Sequence, residues 1–190
     1  MASTGEATDE ELFAAYRDGD QAAFEQLFRR YQGPLGRHLE RMLNDRAAAE
    51  DLMVETFQRL HIHRDRFRAG AAVRPWVYTI ARNLVRKRHR RTGLARWLPL
   101  DAVDAIRPAA DPDPPGGEAE VRRRVATALC ALPSPQREAC SLRLLGELPL
   151  EEIAAVTGAS LGTVKSRLFY GQRRLREALA DMDPRSGGAT

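Results

Sequence analysis

The sequence predicts an all-α protein: two helical domains joined by an extended, acidic, proline-rich linker, with a helix-turn-helix in the second domain. Three observations carry this. Apolar residues recur three and four positions apart through residues 9–96 and again through 118–182, the period of helices with one buried face. Between them, residues 97–117 interleave Asp101, Asp104, Asp111 and Asp113 with Pro99, Pro108, Pro112, Pro114 and Pro115 and end in Gly116-Gly117. Proline at that density blocks helix and sheet ladders, so this segment reads as a semi-rigid tether. Near the C-terminal end, Ala154, Gly158 and Val164 have the spacing of two short helices crossing at a tight turn.

The first domain begins with Asp9 as a plausible N-cap for a helix carrying Leu12, Phe13 and Tyr16. Asp18-Gly19-Asp20 is turn chemistry that also caps a second helix, with Phe24, Leu27 and Phe28 on its buried face. Gly33-Pro34 is expected to end that helix, and Leu35, Leu39, Met42 and Leu43 to form a third. After Asn44-Asp45, residues 47–60 form an amphipathic helix with an acidic flank of Glu50, Asp51 and Glu55. A loop through Phe67 and Gly70 then leads to a helix opening at Pro75, where a missing N–H costs nothing. In the second domain, Val121, Val125, Ala128, Leu129 and Leu132 make one helix, stopped by Pro133-Ser134-Pro135, and residues 136–145 make the next. Residues 150–156 form a short helix, 157–159 a turn, and Ser160 caps a longer helix.

The helix from Pro75 carries the most distinctive chemistry. Residues 74–91 read RPWVYTIARNLVRKRHRR, an aromatic and apolar opening followed by a basic run without one acidic residue. At about 100° per residue, Val77, Ile80, Ala81 and Leu84 share a core stripe, while Trp76, Thr79, Asn83, Lys87 and Arg90 share another. Stacking groups next to phosphate-binding groups suit a surface for unpaired nucleic acid. A solvated basic face is the plainer alternative. The formal net charge of +4 conceals blocks: −3 over residues 1–70, +8 over 71–98, −5 over 99–120 and +4 over 121–190. Two basic blocks around an acidic one suggest two polyanion contacts. On the second of these, Lys165, Ser166, Arg167, Arg173 and Arg174 supply base-edge and phosphate donors on and after the longer helix of the helix-turn-helix.

Other classes are disfavoured. Cys130 and Cys140 have no metal-ligand or redox spacing and read as small apolar residues in a reduced, cytoplasmic protein. No leader-like start and no long apolar run point to membrane insertion. A metal-dependent hydrolase built on His61, His63, Asp65 and His38 would need histidines on one face, which a two-residue spacing on a helix does not give. The residues call for no catalytic group, cofactor or metal.

Four ordered motifs then carry a family resemblance: DEELFAAYRDGDQAAFEQLFRRY, AEDLMVETFQRL, RPWVYTIARN with its basic run, and ALPSPQREACSLRLLGELPLEEIAAVTGASLGTVKSRLFYGQRRLREAL. From Asp9 to Leu179 the chain resembles an extracytoplasmic-function sigma factor, the small two-domain class of bacterial sigma factor. The resemblance implies a non-enzymatic promoter-specificity subunit that binds core RNA polymerase and nucleates promoter opening. It implies that Asp51, Leu52, Glu55, Phe57 and Gln58 dock on the polymerase. It assigns Phe67, its loop and Asn83 to a base flipped from the nontemplate strand of the downstream element, with Trp76, Tyr78, Arg82, Arg86, Lys87 and Arg90 supporting that strand. Gly162, Thr163, Lys165, Ser166, Phe169 and Tyr170 match positions that contact the upstream element in the major groove. The chain departs from the family at Val54, often glutamine, at Lys87, often acidic, and at Tyr170, frequently arginine. The linker would occupy the polymerase channel later taken by RNA. An anti-sigma factor is a common partner of the class, and no residue identifies one here. The competing reading is a self-sufficient helix-turn-helix regulator, which leaves the aromatic and basic helix without a purpose.

Overall fold

A computed structural model describes residues 7–68, 70–91 and 117–180, and the predicted linker lies almost wholly outside them. Within the described residues every regular element is helical: α1 (Asp9–Arg17), α2 (Gln21–Leu43), α3 (Arg46–Ile62), a 3-10 turn (Arg64–Arg66), α4 (Val73–Arg91), α5 (Gly117–Cys130), α6 (Ser134–Leu144), α7 (Leu150–Thr157) and α8 (Leu161–Ala178).

Local chemistry sets most of these limits. The α1 N-cap is Thr8 rather than Asp9: its hydroxyl accepts from the Glu11 N–H while the Glu11 carboxylate accepts from the Thr8 N–H at 2.7 Å, a reciprocal capping box. Asp9 is thereby free to accept from Arg30 at 2.9 Å and from the Tyr31 hydroxyl at 2.5 Å, tying α1 to α2. Asp20 and Asp45 cap α2 and α3. Asn44 ends α2 in the left-handed region at φ 51°, which its short amide tolerates better than most side chains.

The expected break at Gly33-Pro34 does not occur, because α2 runs through Pro34. The proline forfeits one intrahelical hydrogen bond, but Tyr31 and Leu35 on either side of it are 5% and 0% exposed. Burial of those two side chains outweighs the lost bond and keeps one long helix where two were expected. Helix α4 starts at Val73, two residues ahead of the expected Pro75, where the Val73 N–H is taken up by the Glu10 carboxylate at 2.9 Å.

The first four helices enclose a core of Phe13, Leu27, Leu35, Leu39, Leu60, Val77 and Ala81, and the last four enclose Leu129, Leu142, Leu148, Ile153 and Val164. The two bodies touch: α4 lies against α7, and α2 against α5 and α6. Polar contacts join them, among them one buried and one partly buried. His38 Nδ1 meets Ser141 Oγ at 2.8 Å, and Arg82 Nε donates to Glu138 Oε1 at 2.7 Å. Between these contacts Tyr78 is 1% exposed, and Gly146 stands so close that an added Cβ would lie 2.9 Å from the tyrosine hydroxyl.

Burial lowers the His38 pKa from 6.5 to about 4. Between those values the unfolded chain binds a proton that the folded chain refuses, so stability rises with pH across that window and is flat above it. Thermal melts should fall as the pH drops from 6.5 towards 4, by roughly 3 kcal/mol in all from this group. In His38→Gln the same window should be distinctly flatter; an unchanged slope would assign the effect to other groups.

Candidate nucleic-acid interface

Two surfaces carry the predicted contacts, and each begins with how its helix is fixed. Helix α4 buries Val73, Val77, Tyr78, Ala81, Leu84 and Val85. What remains outward is Asn83, Arg86, Lys87, Arg90 and Arg91, all exposed on the later turns. Trp76 is half-buried in an aromatic cluster, its ring edge-on to Phe13 at 5.4 Å and tilted against Phe67 at 4.9 Å, with Phe13 and Phe67 at 4.8 Å. Such pairs add roughly 0.5–1.5 kcal/mol each beyond burial. Phe67 is thus a packed residue of the loop, held beside the start of α4. Its cluster stands two turns before Asn83.

The structure separates the predicted members of this group. Asn83, Arg86, Lys87 and Arg90 face solvent together. Tyr78 does not: it lies in the core beneath Gly146, and burial raises its pKa. Arg82 is bound by Glu138, with the paired side chains only 18% and 14% exposed. The core stripe read from the sequence therefore widens by one flank, because α7 and α6 cover a side of α4 that periodicity within one helix cannot reveal.

On α3 the docking residues divide similarly. Asp51 and Gln58 are exposed and Glu55 is half-buried with Arg59 at 2.8 Å, whereas Leu52 and Phe57 are 6% and 4% exposed and belong to the core. A groove between α3 and α4 is lined by Asp51, Glu55, Lys87, Arg88 and Arg91, so Lys87 faces the acidic flank of α3 as well as solvent. Beside it Phe24, Phe28, Val54, His61 and Ile62 line an apolar groove between α2 and α3, with Val54 and Ile62 half or more exposed. The sequence reading missed Ile62 and took Val54 only as a departure. Two branched apolar residues on the solvent side of an amphipathic helix were the available signal.

The second surface is α8. Gly158 takes φ +66° at the end of α7, as the turn between the two helices requires. Ser160 caps α8 by accepting from the Thr163 N–H at 3.2 Å, and Val164 is fully buried beneath it. These fix the helix axis and leave Gly162, Thr163, Lys165, Ser166, Phe169, Tyr170, Arg173 and Arg174 exposed, with Arg167 half-buried. Phe169 and Tyr170 are 60% and 53% exposed and contact each other edge-to-face at 5.3 Å. Exposed large aromatics in contact with each other make an apolar patch on an otherwise polar helix face. The cysteines lie apart from both surfaces; burial pushes Cys140 up to about 11 and raises Cys130, so both stay protonated thiols.

A first helical body that offers a basic, aromatic-tipped helix, and a second that offers a helix-turn-helix, define a two-part promoter-recognition protein of the sigma class. Comparison with known proteins agrees. Residues 27–94 match Sigma-70 region 2 and residues 122–182 match Sigma-70 region 4. The chain is 35% identical over 170 residues to the RNA polymerase sigma factor CarQ of Myxococcus xanthus, covering 88% of this chain and 95% of that protein. It is 32% identical to the ECF RNA polymerase sigma factor SigM of Mycobacterium tuberculosis, covering 92% and 86% respectively. Two similar solved structures are the sigma factor RpoE in complex with the anti-sigma factor NepR from Bartonella quintana and CnrH in complex with the cytosolic domain of CnrY. The first has TM-score 0.65 and 26% identity over 77% of this chain and 89% of that one. The second has TM-score 0.67 and 26% identity over 92% and 98%. The chain belongs to the extracytoplasmic-function sigma factors, which recognise promoters for RNA polymerase. Among the described residues no helix is long and apolar enough to cross a membrane.

The aromatic cluster and the exposed row have different duties, and stability should separate them. Trp76→Ala should cost about 2–3 kcal/mol, somewhat under a fully buried tryptophan. Asn83→Ala should stay within about 0.5 kcal/mol of the parent in chemical denaturation.

Proposed function

We propose that the two bodies divide the work of a sigma factor as follows. Residues 9–96 dock on core RNA polymerase and capture the downstream promoter element, residues 97–117 act as the linker, and residues 118–182 bind the upstream element. The observation that carries this reading is the outward row Asn83, Arg86, Lys87 and Arg90, which continues along α4 from the Trp76–Phe67–Phe13 cluster. Unstacking a base costs a few kcal/mol; stacking edges and an amide offset that cost when the right base enters. The exposed arginines and Lys87 hold the adjoining phosphates. Arg82 joins them only when Glu138 releases it.

Docking on the polymerase uses Asp51, Glu55 and Gln58 together with the exposed Val54 and Ile62, while Leu52 and Phe57 hold α3 in place from beneath. The mixture of carboxylates with an apolar groove fits a partner helix that is basic on one side and apolar on the other. On α8, Lys165, Ser166, Phe169 and Tyr170 face base edges, and Arg173 and Arg174 face phosphates. The protein is an initiation factor without catalytic activity of its own and works in the cytoplasm with the polymerase. One of its structural relatives, RpoE, is in complex with an anti-sigma factor, NepR, and we assign an anti-sigma partner to this chain by that likeness.

Transcription with core polymerase on duplex and pre-melted promoter templates tests the reading. Asn83→Ala should abolish initiation on the duplex template, recover at least partly on the pre-melted one, and leave polymerase binding intact; equal loss of binding would mean α4 has another task. Lys165→Ala should weaken upstream-element binding chiefly at one base position, as a base reader does. A uniform loss across all sequences, with the salt slope reduced by about one, would instead make it a phosphate contact.

A further inference from the structure

Helix α4 opens without a capping side chain of its own. Gly70, Ala71 and Ala72 precede it, and none of them carries a side-chain acceptor for the free N–H groups of its first turn. The acceptor comes instead from α1, 63 residues away in the chain: Glu10 Oε1 takes the Val73 N–H at 2.9 Å. A carboxylate there also meets the positive pole of the helix. Its neighbour Asp9 is engaged with Arg30 and Tyr31, so two consecutive acids divide the work, one tying α1 to α2 and the other tying it to α4.

Phe13 lies three positions after Glu10 and therefore on the same side of α1. Its ring meets Phe67 at 4.8 Å and Trp76 at 5.4 Å. One face of α1 thus supports both walls of the proposed base site, the loop residue Phe67 and the first turn of α4. Trp76 in turn lies three positions after Val73, so the backbone that Glu10 pins belongs to the turn that carries the tryptophan.

We infer that Glu10 is a positioning residue for capture of the flipped base: by capping α4 it sets the place of Trp76 against Phe67, and through them the choice of base in the downstream element. This rests on the strand-capture reading of Phe67, Asn83 and the start of α4. Glu10 is itself exposed, so its loss takes little from the core. What it removes is the one directional bond at the start of α4, leaving that turn to ring and apolar contacts, which fix position less sharply than a hydrogen bond does. A pocket that must offset the cost of unstacking only for the right base depends on such preorganisation.

The test uses the full chain assembled with core polymerase on a duplex library randomised across the downstream element, each template carrying a transcribed barcode. Sequencing the transcripts gives the base preference at every position, and binding of single-stranded oligonucleotides from the same library gives the same ratio where initiation is too weak to sequence. The parent should favour one base at the captured position. Glu10→Ala should flatten that preference about ten-fold, within the range that displacement of a remote support costs, and leave the preference of a second library, randomised across the upstream element, unchanged. Glu10→Gln keeps the acceptor oxygen and the length, and should hold the parent's preference to within about two-fold. Glu11→Ala removes the reciprocal capping box of α1 one position away; it should lower the melting temperature at least as much as Glu10→Ala and keep the preference. A preference in Glu10→Ala equal to the parent's, an equal flattening in Glu11→Ala, or no recovery in Glu10→Gln would each overturn the positioning role. A parent without any downstream preference would overturn the strand-capture reading, and the role of Glu10 with it.

Discussion

Helix α4 is asked to do two incompatible things, and the architecture follows from how that conflict is resolved. To stay folded it must bury an apolar stripe, and Val73, Val77, Ala81 and Leu84 lie at 0–2% exposure against α2 and α3. To hold nucleic acid, the role proposed for it, it must keep its cations unneutralised by its own sequence, and residues 74–91 contain no acid. A helix so charged gains little from intrahelical pairs, so its stability comes from packing and from carboxylates on other elements: Glu10 at its start, Asp45 on Arg88 and Glu138 on Arg82. Each of these acids joins a different part of the fold to α4.

Cohesion inside each body and cohesion between bodies are of different kinds. Within the first, aromatic rings interlock from Phe13 and Tyr16 through Phe24, Phe28 and Phe57 to Tyr31. Within the second, Ile153, Val164, Leu142 and Leu148 are entirely buried. Between them, among the described residues, polar contacts such as His38 with Ser141, Arg82 with Glu138 and Cys130 with Asn44 sit beside apolar side chains of a core that is continuous through both bodies.

What the sequence disclosed tracks the range of the forces concerned. Short-range chemistry was legible: Asp20 and Ser160 cap the helices expected of them, and Gly158 sits in the left-handed turn of the helix-turn-helix. Some local readings gave way to competing terms. Thr8 displaced Asp9 as cap because only a residue three before Glu11 completes the reciprocal bonds, and Pro34 failed to break α2 because the flanking Tyr31 and Leu35 are buried. The longest-range facts were not legible. Nothing along α4 marks Tyr78 and Arg82 as covered, since the covering atoms at Gly146 and Glu138 lie more than fifty residues away.

The same division explains which family-like positions face outward. If α3 docks as proposed it has to be both partner and core, and Leu52 and Phe57 on it are buried and fix the rotation at which Asp51 and Gln58 emerge. Lys87 follows from that rotation. It opens onto the groove that holds Asp51 and Glu55, where an acidic side chain would add a third negative charge. A lysine offsets that local charge while extending the cation row of α4 by one position. On the proposed roles of α3 and α4, its departure from the common acidic residue alters two surfaces at once: it softens the acidic face proposed for a protein partner and strengthens the face proposed for phosphate. The two proposed interfaces share a side chain, so charge at position 87 cannot be tuned for one without cost to the other.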